Sequence, residues 1–206
     1  KEFKTTFDYK NKFRANYISS EGTEVGPNDA IEEKIQIIVA AKRVQVIDGY
    51  AENLNKQNNL ELQQMLNVRS FLDHNRIYST PKKPFKDNNC NSTGAFAFRG
   101  RWIPNKELKQ NLIEHFTSWK EYVSKYGLLI LELHTIAPEQ TARNLGQTVA
   151  TAYDGTHGFS DQYIIEVEIM LDAAKEAGLI SDTQYQARFP NDELTTISIN
   201  LFRPGN

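Results

Sequence analysis

The run Leu128-Leu-Ile-Leu-Glu-Leu133, broken at once by His134 and Thr135, constrains the fold more than any other stretch. A short apolar run that ends in polar residues reads as a buried strand delivering polar groups to its carboxyl end. Downstream, Thr156-His-Gly-Phe-Ser-Asp-Gln-Tyr163 supplies an imidazole, a hydroxyl, a carboxylate and an amide. Ser160 is a natural N-cap, and the pattern predicts a helix from there to Ala177 with Ile164, Val167, Leu171 and Ala174 on its buried face and Gly178 as its stop. In open α/β sheets ligands bind outside the carboxyl ends of the strands. Convergence of the two segments there would make a site.

The rest of the chain alternates between the two periodicities. Strands are predicted at Asn16–Glu21, Arg43–Asp48 and Leu66–Leu72. Helices are predicted at Asn28–Ala41 (Asp29 as cap; Ile31, Ile35 and Ile38 as stripe), at Leu60–Met65, and at Asn105–Tyr126 with Leu108, Leu112, Phe116, Trp119 and Val123 on one face and Gly127 at its end. Pro138–Tyr153 reads as a short helix plus loop. Leu194–Phe202 alternates cleanly and suits an antiparallel strand with one face covered. Residues 80–101 form a polar insertion with Pro81, Pro84 and Gly94, long enough to be a lid, and Gly94-Ala-Phe-Ala-Phe could dock apolar side chains over a pocket. The alternation predicts one α/β domain over residues 1–206, a mostly parallel sheet with helices on both faces and one antiparallel edge.

Composition narrows the function. A chain of 206 residues is long enough for a sizeable core. A formal net charge of −2 makes no electrostatic case for nucleic acid or an anionic membrane. No apolar stretch approaches the ~20 residues of a membrane helix, and no secretory signal is visible at Lys1-Glu-Phe-Lys. The single Cys90 allows no internal disulfide and suggests a reducing, cytoplasmic compartment. It sits in a polar loop without a basic neighbour to activate it. The chain lacks an initiator Met, as a fragment or a processed form would.

Three motifs, Asn67-Val-Arg-Ser-Phe-Leu-Asp-His-Asn-Arg76, Gly127-Leu-Leu-Ile-Leu-Glu-Leu-His134 and His157-Gly-Phe-Ser-Asp-Gln162, resemble those of S-adenosylmethionine-dependent methyltransferases. The resemblance is to the metal-dependent carbon methyltransferase domains of polyketide synthases, the apratoxin starter-unit type, and extends from about Tyr17 onward. It implies a Rossmann-type methyltransferase sheet of seven strands with an antiparallel last strand. Tyr17–Glu21 would be the second strand, Val44–Asp48 the third, Leu66–Leu72 the fourth, Leu128–Leu133 the fifth and Leu194–Phe202 the seventh. This sequence departs from the pattern in one respect: it has no Gly-x-Gly turn, and its first glycine is Gly22. The first strand and its Gly-rich loop are therefore expected to be missing, or the fold to be rebuilt.

The resemblance also implies site roles. His157 and Gln162 would bind a mononuclear divalent metal, iron or manganese, for which imidazole and a hard amide oxygen are suitable donors. Glu21, Asp48, Ser70, Asp73 and His74 would contact S-adenosylmethionine or substrate at strand ends. From position and not from the resemblance, His134 at a strand's carboxyl end is a candidate general base, and Tyr163 near a helix start a candidate donor to an enolate oxygen. The expected reaction is methyl transfer to carbon of an acyl substrate, possibly held on an acyl carrier protein, for which Lys82 and Lys83 could provide a basic contact. The rivals are a metal-assisted decarboxylase or hydrolase, and a non-catalytic remnant that binds a partner. His157 and Gln162 equally suit a loop hydrogen-bond network and a surface position, His134 a satisfied sheet-edge histidine, and Asp73-His74-Asn75 plain turn chemistry.

Overall fold

A computed structural model describes residues 17–18, 35–40, 43–48, 62–64, 66–74, 76–85, 89–123 and 125–205, the first three segments as backbone only. Seven strands form one sheet: β1 (Tyr17–Ile18), β2 (Ile35–Ala40), β3 (Arg43–Asp48), β4 (Leu66–Ser70), β7 (Leu128–Leu133), β8 (Leu179–Phe189) and β9 (Ile197–Pro204). Their order is β1-β3-β2-β4-β7-β9-β8, and β5 (Phe96–Phe98) with β6 (Arg101–Ile103) makes a separate hairpin. The helices are α1 (Asn105–Trp119), α2 (Pro138–Arg143), α3 (Ala150–Phe159) and α4 (Val167–Glu176).

β1 runs parallel to β3 and β4 parallel to β7, while β2 and β9 oppose both their neighbours. Five strands therefore point one way, and their carboxyl ends share one edge of the sheet. Asp48, Ser70 and Leu133 close β3, β4 and β7 along that edge. The sheet is thus mixed: five of its seven strands run one way, but only β1–β3 and β4–β7 pair in parallel, and its last strand is antiparallel. That strand is not an edge, however. β9 lies between β7 and β8, with Phe202 and Ser198 fully buried, and the edge is β8, which periodicity did not anticipate. β8 carries exposed Ile180, Tyr185 and Phe189 and shifts register between Ser181 and Gln186, so its alternation is blurred.

Two predicted helices are corrected. Ile35–Ala40 is a strand, antiparallel to β3 on one side and to β4 on the other. Four of its six residues are Ile or Val, whose branched side chains favour a pleated surface. Ile35 and Ile38 also fit a helical stripe, but strand pairing on both sides overrides it, while residues 28–34 and 41 of the predicted helix lie outside the described residues. In the doubly wound order the neighbour of the fourth strand is the first strand, running parallel to it; here that place belongs to the antiparallel β2. The second correction concerns Ser160, which ends α3 instead of starting a helix. Asp161 follows with φ 57°, reversing the chain, and the next helix begins only at Val167.

The core joins α1 and α4 to the sheet: Leu112, Phe116, Met170, Ala173, Ile130 and Phe202 belong to one cluster of buried side chains. Each large apolar group of this kind contributes roughly 1.5–3 kcal/mol through burial. α1 ends at Trp119 in a 3-10 turn, earlier than its stripe suggested. Gly127 (φ 91°) then turns the chain into β7; a Cβ there would stand 2.5 Å from the Phe202 carbonyl oxygen, so only glycine fits. Among the described residues no helix is long and apolar enough to cross a membrane.

Candidate functional site

The insertion at residues 80–101 carries β5 and the start of β6, and this hairpin leans over the segment that holds His157. Phe96 packs on Tyr163 at 5.7 Å and on Tyr78 at 5.8 Å between ring centroids, and Phe98 on Tyr78 at 5.1 Å. Beneath the hairpin lies a cavity of about 350 Å³. Ala95, Phe96 and Ala97 line it from the hairpin, Asp154 and His157 from α3, and Gln162 and Tyr163 from the segment beyond.

His157 and Gln162 are brought together by the way α3 ends. His157 lies in the last turn, and the Gln162 amide donates to the His157 carbonyl at 3.0 Å. With Asp161 in the left-handed conformation between them, this is the six-to-one bond of a Schellman motif. The five-residue spacing is thus the span of a helix terminator. His157 Nδ1 donates to the Tyr153 carbonyl at 2.6 Å, which leaves the Nε2 lone pair for a ligand. Among the described residues no group of three or more His, Cys, Asp or Glu side chains converges as a metal cluster. The donor set that could hold a small divalent ion here is mixed, imidazole and amide, and its chemistry suits such an ion.

The carboxyl end of β4 is densely paired. Asp73 Oδ1 receives Arg69 Nε at 2.9 Å and Nη2 at 2.8 Å, and meets His115 Nε2 at 2.6 Å. Burial pushes the Asp73 carboxyl up, but the Arg69 and His115 charges override it and hold it well below the usual carboxylate range. Burial, with the Arg76 cation nearby, pushes the His115 imidazole down to about 4. His74 Nδ1 binds the Glu132 carboxylate, and the His74 ring stands edge-on to His157 with centroids 5.0 Å apart. Asp73 and His74 therefore serve an internal network, with His74 also adjoining the metal candidates.

His134 is almost fully buried. Its Nδ1 meets the Ile165 carbonyl at 3.2 Å and its Nε2 the Ser198 hydroxyl at 2.7 Å. Burial pushes the imidazole down to about 4, so the ring is neutral. With both nitrogens engaged, it sits beside a separate cavity of only about 20 Å³. The Tyr163 hydroxyl donates to Asn111 Oδ1 at 2.5 Å and accepts from Arg76 Nη2 at 2.9 Å. Its pKa is raised by burial, against the opposing pull of Arg76. Ser70 ends β4 and Asp48 ends β3 on the same sheet edge. The Asp48 side chain and all of Glu21 lie outside the described residues.

Residues 19–200 match the family model described as the AprA MT2-like domain, a methyltransferase family. The chain belongs to that family. A 55-residue stretch, 27% of the chain, is also 86% identical to the membrane protein insertase YidC of Pelagibacter ubique (strain HTCC1062). The match covers 10% of the insertase.

Two further residues, Glu132 and Asp154, join the site in the structure. Glu132 is a carboxylate on the inward face of β7, in line with the buried Leu128 and Ile130. The signal was present, since a charge in a strand core is costly unless it is paired. Asp154 stands one helical turn before His157 on α3 and lines the same cavity. Burial raises its pKa, although the Thr135 hydroxyl donates to it at 2.8 Å.

Proposed function

We propose that this domain transfers the methyl group of S-adenosylmethionine to a carbon of an acyl substrate, with a mononuclear divalent metal held at His157 and Gln162. The observation that carries the reading is the cavity beneath the β5–β6 hairpin, which collects His157, Gln162, Asp154 and Tyr163 in a chain that matches a methyltransferase family over residues 19–200. When bound, the metal would supply Lewis acidity that stabilises an enolate.

The chain's own residues do the rest. Ala95, Phe96, Ala97 and Ile164 offer an apolar wall to the acyl chain. Asp154 puts a carboxyl on the side where the substrate carbonyl would lie, and Tyr163, its hydroxyl already held by Asn111 and Arg76, lends its ring to the wall. Methyl transfer needs mainly in-line positioning, which a cavity lined by both the hairpin and α3 supports. Lys82 and Lys83 are exposed, their backbone amides fixed by Glu114, and offer a cationic approach for an acidic carrier protein. S-adenosylmethionine would lie along the carboxyl edge shared by β3 and β4, near Asp48 and Ser70.

The test is incubation of the chain with Mn2+ or Fe2+, methyl-labelled S-adenosylmethionine and acyl thioesters, free and on a carrier protein. The label should appear on a carbon of the acyl group by mass spectrometry. A shortened or hydrolysed acyl group without label would favour the decarboxylase or hydrolase instead. Calorimetry with S-adenosylhomocysteine is a separate check, because a partner-binding remnant would take up none.

A further inference from the structure

We infer that His74 is a second imidazole ligand of the metal proposed at His157 and Gln162, and that Glu132 positions it. The inference rests on that metal reading and adds a residue from a different strand to it.

Three observations converge. First, the His74 ring stands edge-on to His157 with centroids 5.0 Å apart and planes at 69°, so His74, which lines the small cavity beside His134, adjoins the wall of the cavity that His157 and Gln162 line. Second, each ring is anchored through Nδ1. His74 holds the Glu132 carboxylate and His157 the Tyr153 carbonyl. Metal-binding histidines almost always give their other N–H to a carboxylate or backbone carbonyl, which fixes the tautomer and leaves the remaining lone pair for the metal. Third, Glu132 is committed to this task. Its Oε2 accepts the Asp73 amide at 2.7 Å and the His74 amide at 3.3 Å, while Oε1 accepts the Leu133 amide at 2.7 Å as well as His74 Nδ1. A carboxylate only 4% exposed on the core face of β7 is costly. Here its lone pairs are spent on holding one imidazole and the backbone that carries it.

The resulting donor set, two imidazoles and one amide oxygen, parallels the two-histidine, one-carboxylate arrangement that leaves open positions on iron(II). With an amide replacing the carboxylate, the ligands are neutral and the ion keeps its full charge for substrate oxygens. The set contains only two His, Cys, Asp or Glu side chains, in keeping with the lack of a three-member cluster of those types among the described residues.

The experiment is pulsed EPR of the whole chain loaded with Mn2+, which resolves nitrogen couplings from coordinated imidazoles, beside Mn2+ titration by calorimetry. The expected result is two imidazole couplings in the unaltered protein. His74→Phe should remove one, and Glu132→Gln should weaken Mn2+ binding about 10–100-fold. Thermal melts check that the variants fold; if they do not, the spectrum of the unaltered chain decides alone. A single imidazole there overturns this inference and leaves His157–Gln162 standing. Failure of the unaltered chain to bind Mn2+ or Fe2+ overturns both.

Discussion

The backbone amide of Gln162 is hydrogen-bonded to the carbonyl of His157 at 3.0 Å, and that bond exists because Asp161 between them takes φ 57°. The two proposed ligands are thus held at a fixed offset by a helix terminator. Asp161→Val should cost about 1–3 kcal/mol, since a branched residue is strained there. Asp161→Gly should be near neutral or stabilising. Urea unfolding measures the first effect and Mn2+ titration should follow it. A valine variant as stable as the glycine variant would show that the turn does not depend on this conformation.

Arg69 and Asp73 form an ion pair in which both side chains are 5% exposed. Breaking such a pair from one side leaves a buried charge behind. Asp73→Asn should therefore destabilise the domain by about 3–5 kcal/mol, seen as a lower urea midpoint. Arg69 also stacks on Trp119 at 4.8 Å, which fixes the guanidinium and prevents its escape to water.

His134 sets a pH dependence. Its pKa falls from an ordinary 6.5 to about 4 in the fold, so the unfolded chain binds the proton more tightly. The contribution to stability is complete above pH 6.5 and is lost as pH falls towards 4, a change of roughly 3 kcal/mol. His115 shifts in the same direction. Denaturant unfolding at pH 7 and pH 4 should show a smaller drop for His134→Gln than for the unaltered chain. Equal drops would remove His134 from the account.

Phe96 connects the hairpin to Tyr78 and Tyr163 and lines the large cavity. It is half-buried, so Phe96→Ala should cost about 1–2 kcal/mol, less than a full core truncation. If the hairpin roofs the acyl site, KM for the acyl substrate should rise several-fold more than kcat falls. Unchanged KM with lowered melting temperature would reduce the hairpin to a structural part.

Much of the fold was legible from local pattern. Leu128–Leu133 forms a strand at the predicted bounds, and Leu108, Leu112, Phe116 and Trp119 bury one helix face. These segments have a single strong periodicity, and packing agrees with it. Ile35–Ala40 has two competing readings in its sequence, and pairing with β3 and β4 chose between them. For the site, the spacing of His157 and Gln162 was visible, although its cause was not: Ser160 serves as well at a helix end as at a start.

The sequence by itself determined the α/β class, the methyltransferase family and which polar side chains end the strands and helices, because periodicity and side-chain type are local properties. Only the tertiary structure decided which of those residues meet. It set His74 beside His157, engaged both nitrogens of His134, and turned Glu132 from one charge in an apolar run into the anchor of an imidazole. Such assignments depend on strand order and on which hydrogen-bond partners remain once water is excluded, and no local stretch of sequence encodes either.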